Sequence, residues 1–106
     1  MLPKNIIITY WDKLQWNYLK IGNVNQKLWR HIKYLYLNNH NIVDISPISR
    51  IIWTDLLELH LKKNQIVDIS ALSKTILPNL EGLYLTNNNI VDRLNLSDIL
   101  TARVYF

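Results

Sequence analysis

The stretch Leu56-Leu-Glu-Leu59-His-Leu61-Lys-Lys-Asn64-Gln-Ile66 decides how this chain folds, because it occurs three times. Its counterparts are Ile32-Lys-Tyr-Leu35-Tyr-Leu37-Asn-Asn-His40-Asn-Ile42 and Leu80-Glu-Gly-Leu83-Tyr-Leu85-Thr-Asn-Asn88-Asn-Ile90. The three align without gaps and begin, evenly spaced, at Ile32, Leu56 and Leu80. The register continues past the quoted core. Val43, Val67 and Val91 align, as do Asp44, Asp68 and Asp92, Ile48, Leu72 and Leu96, Ser49, Ser73 and Ser97, and Ile52, Ile76 and Leu100. A fixed period of this length marks an array in which each unit hides its apolar face on the next.

Within each unit, Leu35-Tyr36-Leu37, Leu59-His60-Leu61 and Leu83-Tyr84-Leu85 alternate as a short half-buried strand requires. So short a strand cannot stand alone, and the copies must stack in parallel. The strand gives way at Asn64 and Asn88, whose carboxamides can serve backbone groups of their own turn and of the neighbouring coil. His40 holds that place in the first copy, with one donor and one acceptor to offer. The repeated Asp44, Asp68 and Asp92 are turn formers that bond their own backbone. Ser46 before Pro47 reads as an N-cap with proline at the first helical position, and Ser70 before Ala71 fits the same role. A single helical or 3-10 turn is expected there, followed by an irregular return through Ile51, Ile52 and Trp53, with Pro78 closing the second return. Arg93 interrupts the third copy where Ile45 and Ile69 stand in the others, so either Leu94 moves inward or this is the solvent-facing end.

The pattern Leu-x-x-Leu-x-Leu-x-x-Asn-x-Ile, followed by Val-Asp-Ile-Ser, resembles leucine-rich-repeat proteins of the short internalin-like and phosphatase-regulator-like type over about residues 28–106. That resemblance implies an α/β solenoid. It would be a right-handed horseshoe arc with a short parallel concave sheet and 3-10 or short-helical convex returns. It also implies a binding role without catalysis. Repeats of that type are usually a little shorter than the period seen here, and the added length is expected to widen the convex side. The expected organisation is one domain: an N-terminal cap and degenerate first coil over 1–31, repeats at 32–55, 56–79 and 80–103, and a terminal edge strand at 104–106. Stepping back one period places Ile8, Trp11, Lys13 and Trp16 at the strand and turn positions of that first coil.

Composition narrows the class. The 106 residues are 49% hydrophobic and 19% charged, ordinary for a folded domain. There is no cysteine, hence no disulfide framework or thiolate metal site. Apolar runs such as Ile6-Ile7-Ile8 are too short to span a bilayer or to serve as a secretory signal. The expectation is therefore a cytoplasmic or nuclear protein with no membrane association and no small-molecule substrate. Asn95-Leu-Ser97 matches a glycosylation acceptor and is discounted on the same ground. His31, His40 and His60 lie on different coils and suggest no metal site. With Gly22 and Gly82 the only glycines, no phosphate loop exists, and the recurring serines follow repeat geometry. No cofactor and no enzymatic activity are expected.

Two surfaces are candidates for function. Outward positions of the strand face carry Tyr34, Tyr36 and Asn38, then Glu58, His60 and Lys62, then Gly82, Tyr84 and Thr86. Tyr36, His60 and Tyr84 form an aromatic stripe that suits a protein-binding hot spot, against the plainer reading that the rings stack to stiffen the sheet. The second surface follows from charge. Residues 1–33 hold six cations (Lys4, Lys13, Lys20, Lys27, Arg30, Lys33) against Asp12 alone, whereas the remainder nets −1. Interleaved with Tyr10, Trp11, Trp16, Tyr18 and Trp29, those cations raise RNA contact within a ribonucleoprotein through Lys13, Lys20, Lys27, Arg30 and Lys33. The plainer reading is a cap filled by tryptophan and kept soluble by lysine. A protein partner on the concave face is the preferred reading.

Overall fold

The computed structural model describes residues 5–7, 29–94, 96 and 100–106. Five strands of three residues each, β1 (Asn5–Ile7), β2 (Tyr34–Tyr36), β3 (Glu58–His60), β4 (Gly82–Tyr84) and β5 (Arg103–Tyr105), form one parallel sheet in chain order. Strands so short satisfy their backbone only by laddering with the next coil. Leu37 N–H donates to His60 O at 2.8 Å, and Leu61 N–H donates to Tyr84 O at the same distance.

The middle of the stack keeps the repeat period unchanged: Leu35 faces Leu59, which faces Leu83. All three are fully buried, as are Leu37, Leu61 and Leu85 of the second inward column. Behind them, Ile42 and Ile66, Ile45 and Ile69, and Ile48 with Leu72 and Leu96 fill the interior. Trp53 closes the far side, with its indole N–H donating to Ile48 O at 2.8 Å and its ring edge-on to Trp29 with centroids 5.7 Å apart.

The end coils depart from the period. β1 pairs Ile6, not Trp11, with Leu35, so the first coil holds more chain than those that follow. The β-branched run Ile6-Ile7 is the better strand former, which explains why pairing settles there. Trp11, Lys13 and Trp16 fall outside the described residues. At the other end β5 pairs Val104 with Leu83, so the last coil is shorter than the repeat and the edge strand is 103–105 rather than 104–106. Arg93 explains the shortening. It stays exposed where Ile45 and Ile69 are buried, and Leu94 does not replace it, being 36% exposed with φ 54°. The chain instead closes a tighter return in which Leu100 N–H donates to Leu96 O at 2.7 Å.

The convex returns are 3-10 segments at Ser46–Arg50 and Ser70–Lys74. Ser46 and Ser70 are not N-caps. Ile45 and Ile69 hold that position and make no side-chain cap bond. The capping acceptor comes from one residue earlier. Asp44 Oδ1 accepts Ser46 N–H and Asp68 Oδ1 accepts Ser70 N–H, both at 2.8 Å, and Asp92 Oδ1 accepts Leu94 N–H at 2.9 Å. Bonds from the Ser70 backbone and hydroxyl hold the Asp68 carboxyl below the usual carboxylate range. Pro78 lies in the turn after the second return.

Candidate functional site

A parallel sheet in strict register sets identical positions of successive coils side by side, about 4.8 Å apart. On the outward face this builds one continuous column of rings. Tyr36 and His60 stack at 4.7 Å between centroids, His60 and Tyr84 at 4.3 Å, and Tyr84 and Tyr105 at 4.8 Å. The last two pairs are nearly parallel, at 3° and 7°. Binding and stiffening are thus not alternatives at the level of geometry. The rings spend their faces on each other, which leaves their edges as the surface open to a partner.

Charges flank the column. His60 Nε2 lies 2.9 Å from Glu58 Oε1 and, facing a carboxylate, acts as the donor. Lys62 Nζ sits 5.4 Å from the Tyr84 ring centroid, within cation–π range. Burial, and next the Glu58 carboxylate, push the Tyr84 phenol above its ordinary value. Gly82 makes room for that ring: a Cβ there would come within 2.9 Å of Tyr84 Cε2 and 3.0 Å of its hydroxyl. Tyr34 is half-buried in register with Glu58 and Gly82. Asn38 and Thr86 sit at the strand exits, where Asn38 Oδ1 accepts Lys62 N–H at 2.7 Å and Thr86 O accepts Lys63 N–H at 3.0 Å.

Tyr105 is the column residue that a constant repeat step misses, because Arg93 shortens the coil before it. A local signal was available: Leu35-Tyr36 and Leu83-Tyr84 recur as Val104-Tyr105.

The turn beside this face is held from within. Asn64 Nδ2 donates to Leu37 O, Leu61 O and Lys62 O, and its Oδ1 accepts His40 N–H and Ile42 N–H. Asn88 donates to Leu61 O and Leu85 O and accepts Ile66 N–H. His40 lends its backbone N–H to Asn64 while its half-buried ring bonds Asn38 O within its own turn.

Of the five cations considered for RNA, Arg30 and Lys33 are described. Both are half-buried, and their carbonyls accept from Asp55 N–H and from Leu57 and Glu58 N–H of the next coil. Lys13, Lys20 and Lys27 lie outside the described residues. The described residues contain no group of three metal-ligating side chains and no helix long and apolar enough to cross a membrane.

The family described as Leucine rich repeat matches residues 30–90, more than half of the chain. The chain belongs to the leucine-rich-repeat family. Among solved structures it is similar to an internalin, InlF, from Listeria monocytogenes str. 4b F2365. That likeness has a TM-score of 0.60 and 37% identity over 73% of this chain. The chain covers 22% of that internalin's length. No curated protein sequence matches it. The strands, the asparagine turns and the 3-10 returns described above are the parts of such a repeat. Leucine-rich-repeat domains typically serve as interaction scaffolds, presenting a concave sheet face to a protein partner.

Proposed function

We propose that this leucine-rich-repeat domain is a non-catalytic scaffold that binds a protein segment across its concave face, with the ring column as the central contact. The observation that carries this reading is the column itself. Four aromatic side chains, pre-stacked at 4.3–4.8 Å, form a rigid surface whose ordering cost falls on folding rather than on binding. Glu58 and Lys62 supply a charged rim, and Tyr34 and Thr86 extend the face above and below.

The test is comparative capture after nuclease treatment, read by mass spectrometry. A triple variant Tyr36→Ala, His60→Ala, Tyr84→Ala is set beside a convex control, Ser49→Ala with Lys74→Ala. Each hot-spot truncation is expected to cost about 2 kcal/mol of binding, so the triple variant loses proteins that wild type and the convex control retain. Identical captured sets from all three would sink the concave reading.

A further inference from the structure

On the flank between each asparagine turn and the return that follows, the chain repeats Ile-Val-Asp at 42–44, 66–68 and 90–92. Ile42 and Ile66 are buried, while the valine and aspartate after them stand in solvent. Val43 is 55% exposed, and Val67, which has a coil on either side, is still 43% exposed. The backbone ladder keeps these positions in step. Gln65 N–H donates to Ile42 O at 2.9 Å, and Val91 N–H donates to Val67 O at 3.4 Å. The result is a ridge of valines with a row of carboxylates beside it, and a groove of about 270 Å³ bounded by Val43, Val67 and Ala71, among others. Threonine would meet the same β-branched preference of an extended backbone in solvent, so the fold does not require valine there. Asp44, Asp68 and Asp92 form no ion pair among the described residues, and Lys74 acts on Asp68 only through space.

We propose that this ridge receives a basic amphipathic helix of a partner protein, laid along the axis of the stack. Spacing selects the helix. Coils follow one another at about 4.8 Å and helical turns at about 5.4 Å, so one turn meets one coil and the mismatch over three coils is about 1 Å. Apolar side chains at i, i+4 and i+7 then fall against the valines, as in other helix-in-groove contacts. Charge selects the sign. A carboxylate follows each valine, so a row of lysine or arginine beside the apolar stripe meets Asp44, Asp68 and Asp92. This surface is separate from the ring column and does not depend on it.

The probe is a fluorescein-labelled peptide of about 18 residues, long enough to hold helix. It is built of alanine and glutamine, with leucine at i, i+4, i+7 and i+11 and a lysine after each leucine. The peptide is titrated with the 106-residue chain and followed by polarisation. Saturable binding that weakens as salt rises is expected. The isosteric pair Val43→Thr, Val67→Thr keeps the backbone preference and should weaken binding about tenfold. Asp44→Asn with Asp68→Asn retains the turn acceptors and removes the charge. It should weaken binding about threefold and flatten the salt dependence. Tyr36→Ala should leave peptide affinity unchanged, so this site and the concave site fail separately. Absence of saturable binding overturns the proposal, as does equal binding of a peptide with glutamate in place of lysine or with a central proline. Wild-type affinity in the folded threonine pair, or a chain dimer in sedimentation that the threonine pair dissociates, overturns it as well.

Discussion

Replacing Asn64 by alanine is expected to lower the unfolding free energy by on the order of 3–5 kcal/mol, the largest effect of any polar substitution in the described residues. The carboxamide is 6% exposed and engages five backbone groups at once. Its removal orphans the Ile42 N–H and the Leu37 carbonyl in an apolar setting, whereas Leu61 O keeps the Asn88 amide. A buried unsatisfied group costs about 1–3 kcal/mol, and water entering from the turn offsets part of the sum. Natural domains are stable by about 5–15 kcal/mol, so the variant should sit near the edge of folding. Asn88→Ala is the internal comparison. That side chain is half-buried with three such bonds, and a loss of about 1–3 kcal/mol is expected. Urea unfolding of the three proteins reads the order directly. Equal losses at the two sites would mean that the turn, rather than burial of the amide, sets the energy.

Trp53→Ala should be comparably severe, about 3–5 kcal/mol, for a different reason. The indole is 1% exposed and packs edge-on to Trp29, so truncation leaves a cavity between two coils. Trp53→Phe separates packing from polarity. It keeps most of the apolar volume, loses the bond to Ile48 O, and should cost about 1–2 kcal/mol. Its chain neighbour Ile52 supplies the control, because it is 37% exposed and its truncation should fall within about 0.5 kcal/mol of wild type. Thermal or urea unfolding decides. If Ile52→Ala matched Trp53→Ala, the inward assignment of the return segment would be wrong.

The contrast between these residues shows what was legible in the sequence. Leu35, Leu59 and Leu83 repeat at a constant step, and a period with a repeated residue type is enough to place strand, register and core. Asp44 and Asp68 were readable as turn formers, but their rank over Ser46 and Ser70 as the acceptor was not. Both residue types are good caps, and only backbone geometry chooses between them. The ends were least legible. One misplaced strand followed from extending the period across a first coil that is longer than it. The other followed from extending it past an arginine that cannot be buried. The ring column suffered accordingly. Three of its members followed from the period, and Tyr105 lay beyond the point where the period stops.

The coils are unequal, running from Ile6 to Leu35, Leu35 to Leu59, Leu59 to Leu83 and Leu83 to Val104, and this has a practical consequence. Pairing along the front stays in step although the amount of chain passing behind it changes from one layer to the next. Length is thus a free variable of the rear surface. An epitope or fluorophore-bearing loop grafted after Arg50 or Lys74 should be carried as passive cargo, while a single-residue deletion inside a strand would exchange inward and outward side chains within that strand.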